Sequence, residues 1–212
     1  MFRKIRLYLK IKSGKFSEAL ALIPPGDNMG AAYLNIRAHC YFKLQQYDKA
    51  KQVLDKIKET EKDLYNLYIA YNNQGYHYLE QQLWEQAIAE LAKAKELQPN
   101  KSFALNNLGY AYLFTNRLEE GVKMIEEAFK MDRYNYYAIR NMGIYYMHKK
   151  QYTDALTVLE KAKAGDKKID DIDVLIAICQ SKIIHNDHPA ALLKNLSNFQ
   201  QDRFEKLISL FP

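Results

Sequence analysis

YNNQGYHYL at residues 71–79, LNNLGYAYL at 105–113 and IRNMGIYYM at 139–147 are variants of one string. They begin at 71, 105 and 139, a constant step of 34 residues. A fixed period of this size is the mark of a repeat architecture, and it outranks any single motif in deciding the fold. Carried downstream, the frame aligns Gly75, Gly109 and Gly143, then Tyr78, Tyr112 and Tyr146, then Ala87, Gly121 and Ala155, then Ala94, Ala128 and Ala162. Two antiparallel helices approach within about 8–10 Å only where the contact residues are small. The Gly75 and Ala87 columns therefore mark the crossing point of a helical hairpin. Larger residues in the same frame, among them Tyr71, Tyr78, Leu91, Leu105, Leu108, Tyr112, Ile125, Ile139, Met142, Tyr146 and Leu159, fill the spaces between helices and are expected to be core without chemistry.

The frame extends in both directions. YDKA at 47–50 aligns with WEQA at 84–87 and YTDA at 152–155, which defines a repeat over 31–67 with three extra residues in its linker. GKFSEA at 14–19 defines a shortened first hairpin within 1–30 that ends at Pro24-Pro25. Regular repeats follow at 68–101, 102–135 and 136–169. A degenerate hairpin over 170–199 is expected to open with Asp170, Asp171 and Asp173 at the start of a helix near 172–185, where acids favour the N-terminus, and to continue in a helix near 189–199. The tail 200–212 is expected to form a capping helix, with Asp202 as N-cap, Glu205 three residues on, and Phe204, Leu207, Ile208 and Phe211 along one face.

With its small residue at position 8, aromatic at 11, Ala at 20 and 27 and Pro near 32, the chain resembles the tetratricopeptide repeat family. The repeat at 68–101 matches best, down to Pro99. The resemblance implies a single all-α, right-handed superhelical solenoid over 1–212, of about five to six hairpins with a C-terminal capping helix. It also implies a protein-binding role.

Composition agrees with helices. Only 8 Gly and 5 Pro punctuate 212 residues, and the chain is 48% hydrophobic and 26% charged, enough to bury a core. No apolar stretch is long enough to serve as a signal peptide or to span a bilayer, so a cytoplasmic protein without stable membrane insertion is expected. Cys40 and Cys179 lie apart in apolar helical stretches with no CxxC spacing, and are expected to be buried free thiols. The net charge of +6 permits an acidic partner without demanding nucleic acid, and none is expected. Much of that charge sits at the front, where residues 1–15 carry Arg3, Lys4, Arg6, Lys10, Lys12 and Lys15 without an acid.

The resemblance also implies which side chains meet a ligand. In this family the first helix of each hairpin lines the concave surface, and repeat positions 2, 5, 6, 9 and 13 commonly face the partner. Those positions are Ile69, Asn72, Asn73, Tyr76 and Glu80, then Phe103, Asn106, Asn107, Tyr110 and Phe114, then Tyr137, Arg140, Asn141, Ile144 and His148. Asparagine is a mediocre helix former, yet Asn73, Asn107 and Asn141 recur at one register, backed by Asn72 and Asn106. A carboxamide offers a donor and an acceptor, so it can hold the backbone of an extended peptide without reading its sequence. With helices roughly 10 Å apart and a peptide rise of about 3.3 Å per residue, one Asn falls opposite every third ligand residue. The alternative is solvated filler carried through repeat duplication. Under the ladder reading, replacing the three Asn by Ala is expected to weaken binding while leaving the melting temperature almost unchanged. Tyr76, Tyr110, Phe103, Phe114 and Tyr137 support a binding patch, because exposed aromatics typify such surfaces. Arg140 would take a carboxylate or phosphate, or else form an internal salt bridge.

Family members that clamp a terminal carboxylate place basic residues at positions 5 and 2. Here position 5 is Asn72, Asn106 and Arg140, so that ligand is not expected. His185 and His188 flank Asp187 without a further ligand set, and a helix-ending loop is the better reading than a metal site. No phosphate-binding glycine loop, dinucleotide fingerprint or nucleophile elbow is present, so no enzyme activity and no cofactor are expected. The basic amino-terminal helix reads either as a cap with solvated charges or as a segment lying on an anionic membrane or nucleic acid. Two function classes stand. One is an adaptor, assembly factor or chaperone-like scaffold gripping an extended peptide. The other is a regulatory or inhibitory protein, of the immunity or antitoxin kind, docking one folded partner. Neither partner nor oligomeric state is named by the sequence.

Overall fold

The computed structural model describes residues 2–24, 26, 30–165, 169, 171–184, 193, 194 and 196–211. Twelve helices and no strand occur among them. Contacts divide the chain into two units, Met1–Asn100 and Lys101–Pro212. The first holds α1 (Phe2–Lys12), α2 (Phe16–Leu22), α3 (Ala31–Lys43), α4 (Tyr47–Thr60), α5 (Leu64–Glu80) and α6 (Trp84–Leu97). The second holds α7 (Ser102–Leu113), α8 (Leu118–Met131), α9 (Tyr136–His148), α10 (Tyr152–Gly165), α11 (Ile172–Ile183) and α12 (Asn198–Ile208). Each unit is a solenoid of stacked hairpins. α1 pairs with α2, α3 with α4 and α5 with α6, then α7 with α8 and α9 with α10. First helices also lie against first helices, α3 beside α5 and α7 beside α9.

The small columns sit at the crossings because nothing larger fits. Ala19, Ala87 and Ala155 are wholly buried and Ala50 is 1% exposed, while Leu54, Leu91, Ile125 and Leu159 fill the space beside them at 0%. Burial of each such leucine or isoleucine contributes about 1.5–3 kcal/mol. Tyr71, Tyr78, Met142 and Tyr146 are half-buried, covering the edges of this packing. α7 and α8 meet backbone to backbone: a Cβ on Gly109 would lie 2.8 Å from the Gly121 carbonyl oxygen, and one on Gly121 would lie 2.8 Å from that of Gly109.

The turn inside each hairpin repeats as faithfully as the helices. Gln45, Gln82, Asn116 and Lys150 adopt φ of 59°, 58°, 57° and 59°, all left-handed, and Gly14 takes φ 72° at the same point of the first hairpin. Among these five hairpins, the first alone places glycine where the turn favours it.

Several helix starts carry side-chain caps, each satisfying an orphan backbone donor. Asp63 accepts from the Asn66 amide at 2.8 Å and Asn135 from that of Ala138 at 3.2 Å. α12 starts earlier than expected: Ser197 is its N-cap, in a capping box with Gln200, and Asp202 lies inside the helix. At the start of α11, Asp171 sits in the left-handed region and caps nothing with its side chain. The expected helix near 189–199 falls largely, and Pro25, Asp170 and His185 to His188 wholly, outside the described residues. Cys40 and Cys179 are buried free thiols, raised by burial to about 11 and about 12.

Candidate functional site

In the first unit the candidate surface is built by α3 and α5. Asn73 donates from Nδ2 to Asn35 Oδ1 at 3.3 Å, tying the two first helices together. Asn35 is 5% exposed, and its own Nδ2 is buried without a hydrogen-bond partner among the described residues. Both side chains line a cavity of about 330 Å³, with Ala32, Ile36, His39, Tyr65, Asn66 and Ile69 around it and Ile11 of α1 at one wall. His39 packs edge-on against Phe16, and burial, then the charge of Lys43, pushes it down to about 4, so it lines the cavity as a neutral ring. At the other end of α3, Lys43 Nζ lies 5.6 Å from the centre of the half-buried Tyr76 ring, which itself packs on Phe42. Phe42 stacks on His77 at 3.9 Å between centroids. Burial, then the neighbouring His39 and Lys43, holds His77 down at about 3. Asn72 and Ile69 are half-buried and Glu80 is exposed.

In the second unit α7 and α9 repeat the amide bond in a drier setting. Asn141 donates from Nδ2 to Asn106 Oδ1 at 3.1 Å, and each residue is 2% exposed. Arg140 donates to Asn141 Oδ1 at 2.8 Å, lies over the Tyr110 ring and pairs with Asp171 at 3.5 Å. Asp171 is also held by Arg203 of α12, with one bond of 2.5 Å. The carboxylate that Arg140 takes is thus an internal one. Tyr110 packs edge-on against Phe114, and Phe211, just past α12, packs against both Phe114 and His148. The chain's own end therefore covers position 13 of both first helices. Burial lowers His148 to about 4.

These placements revise the expected set. Ile144 is 1% exposed and shares the core cluster with Ile178 and Phe204, so it is a packing residue rather than a surface one. Asn106 and Asn141 are likewise buried, their amides committed to each other. Asn107 is half-buried, and Phe103 and Tyr137 stand out at 54% and 40%. Asn35 was missing from the expected set. It occupies position 5, as Asn72 and Asn106 do, and that column supplies the acceptor for a position-6 Asn one repeat later. The position-5 column thus lies one register from the Asn73, Asn107 and Asn141 column.

Among the described residues no group of three His, Cys, Asp or Glu side chains is placed to hold a metal. No helix among them is long and apolar enough to cross a membrane.

The family model of the tetratricopeptide repeat matches residues 31–63 and 104–135, the segments that contribute α3 and α7 with their partners. Both segments are tetratricopeptide repeats. Solved structures of such solenoids resemble the chain over most of its length. TTC0263, a thermophilic TPR protein of Thermus thermophilus, is 18% identical, covering 84% of this chain and 98% of its own, with a TM-score of 0.65. PilF of Pseudomonas aeruginosa is 18% identical over 96% of both chains, TM-score 0.61. MamA of Desulfovibrio magneticus RS-1 is 19% identical over 80% of this chain and 96% of its own, TM-score 0.59. At such identity the likeness is one of fold. Comparison with curated protein sequences returned no match. Built from such hairpins, the chain has the architecture of a protein-interaction scaffold.

Proposed function

We propose that this tetratricopeptide repeat protein is a peptide-binding scaffold, an adaptor, assembly factor or chaperone-like holder, and that an extended partner segment lies on the first-helix face of its first unit. The Asn35 carboxamide carries the reading. Its buried Nδ2 has no hydrogen-bond partner among the described residues, at the wall of a cavity of about 330 Å³. A buried donor left unsatisfied costs about 1–3 kcal/mol, and a peptide carbonyl is the group that removes this cost without demanding a particular side chain. Asn73 and Asn66 add carboxamides to the same wall, and Ile36, Ile69 and Tyr65 add apolar surface for alternate side chains. Phe211 and the Arg140–Asp171 pair occupy much of the equivalent face in the second unit, which favours the first unit as the docking place. A reducing, cytoplasmic setting fits the two free thiols.

Photo-crosslinking tests this. A benzoylphenylalanine at Tyr65, which lines the cavity, is expected to capture one short segment of the partner. The same group at Lys93 on α6 is expected to capture none. Capture from Lys93 alone, or from both positions across many partner segments, would replace this reading with docking of a folded partner.

A further inference from the structure

Beyond the cavity between α3 and α5 lies a second recess, of about 260 Å³, between α1 and α3. Leu7, Tyr8, Ile11, Tyr33 and Ile36 line it, with Lys4 at its edge. The two share Ile11, Ala32 and Ile36 and so lie side by side along α3. Around the recess, α1 leaves Ile5, Tyr8 and Leu9 exposed at 50%, 62% and 55%. Isolated exposed apolar residues mean little, but three on one short helix beside a recess form a patch.

Charge says what kind of chain fits. Residues 2–15 contain six cations and no acid. The helix sorts them: Arg3 and Lys10 turn toward α2, where Arg3 donates to the Leu22 carbonyl and Lys10 pairs with Glu18, which Lys15 also approaches. Lys4 and Lys12 flank Tyr8 at four-residue spacing on the other side, with Lys12 Nζ 6.0 Å from the Tyr8 ring centre. Neither has a carboxylate within ion-pair distance among the described residues. Like charges on both partners oppose a second copy of α1 here. A flat lipid surface would leave the concave recess unfilled.

We infer that this pair of recesses selects an acidic segment with a bulky apolar anchor. The anchor enters the α1–α3 recess, Asp or Glu beside it meets Lys4 and Lys12, and the continuing backbone reaches Asn35. This rests on the peptide-scaffold reading and adds the chemistry of the partner.

The test is selection of phage-displayed random peptides of about twelve residues, long enough in extended form to span both recesses. Ala32 is exposed and borders both recesses, so Ala32→Trp blocks them from the surface. The Lys4→Glu/Lys12→Glu variant reverses charge without touching the core. Helicity and melting of both are checked first. Enriched peptides are expected to carry several acids around a Leu, Ile or Phe and to lose binding to Ala32→Trp. Their affinity should fall about tenfold or more with Lys4→Glu/Lys12→Glu, and similarly between about 0.05 and 0.5 M salt. Neutral or basic enriched peptides that still need Ala32 open would sink the acidic preference and leave the scaffold reading standing. Acidic peptides indifferent to Ala32→Trp would sink the location. No enrichment, with sedimentation on anionic phosphatidylglycerol vesicles that Lys4→Glu/Lys12→Glu abolishes, would assign the face to a lipid surface instead. No enrichment without vesicle binding would overturn the inference outright.

Discussion

Asn141 and Asn106, thirty-five residues apart, share a buried hydrogen bond of 3.1 Å between two first helices of the second unit. Its counterpart in the first unit, Asn73 to Asn35, is 3.3 Å long with a half-buried donor. The same residue type at the same register thus has a structural task, and the difference in burial separates the two energetically.

Replacing Asn141 by Ala strands the Asn106 oxygen and takes an acceptor from Arg140. A loss of about 1–3 kcal/mol is expected, since buried polar groups lose their full desolvation compensation. Asn73→Ala should cost less, under about 1 kcal/mol, because its side chain is only half-buried and the better helix propensity of Ala offsets part of the lost bond. Urea titrations of both variants check this. Equal midpoints would show that burial does not separate the pair. The expectation that the whole Asn column can be removed with little change in melting is therefore revised for Asn141.

Gly121→Ala should destabilise the second unit by about 1–2 kcal/mol, even though the same register holds Ala87 and Ala155. The added methyl meets the Gly109 carbonyl at 2.8 Å and Leu113 at 3.0 Å, and the overpacking outweighs the helix-propensity gain of about 1 kcal/mol. Gly109→Leu should cost more. Guanidinium unfolding monitored by circular dichroism gives the answer, and an unchanged midpoint for Gly109→Leu would refute the crossing geometry.

Lys150→Gly should stabilise. A left-handed non-glycine residue costs about 1–2 kcal/mol, and glycine relieves this at an unfolded-state entropy cost of about 0.4–1 kcal/mol. The net gain is about 0.5–1 kcal/mol, a rise in Tm of about 1–4 °C. Lys149→Gly, one residue earlier at φ −80°, should lower Tm.

Acid should weaken the first unit through His77. Its folded-state pKa of about 3 lies below the ordinary 6.5, so the unfolded chain binds the proton more readily. The stabilisation from keeping this ring neutral is full above pH 6.5 and is lost as pH falls from there toward 3. Between pH 6.5 and 5 the loss is about 2 kcal/mol. Urea midpoints across this range should slope downward, and His77→Leu should reduce the slope, leaving the share carried by His39, which burial holds at about 4. A slope unchanged by His77→Leu would assign the acid sensitivity elsewhere.

The period and the small-residue columns were readable because helix crossings impose volume limits that only Gly and Ala meet, and those limits recur with the hairpin. Side-chain commitments were not readable in the same way. The Asn pairs run from position 6 of one repeat to position 5 of the one before, so a search down a single column sees residues but not their partners. In the longer repeat, Ile36 stands where the Asn column passes, which concealed Asn35. Arg140 offered its charge to any anion, and only the folded chain brings Asp171 and Arg203 beside it. Phe211 belonged to an expected apolar face, but its contact with Phe114 and His148 depends on where α12 lands, which no local pattern encodes.

The amide bonds between first helices also govern length. A bond of about 3 Å anchored on two helices resists sliding of one against the other, so the distance between successive attachment points along each face is held constant. A flexible wall would adjust its spacing to whatever chain arrived. Under the peptide-scaffold proposal such a wall would act as a ruler: a segment whose anchors fall at the matching interval would be gripped at each mark, and one residue inserted between those anchors would throw the later marks out of phase.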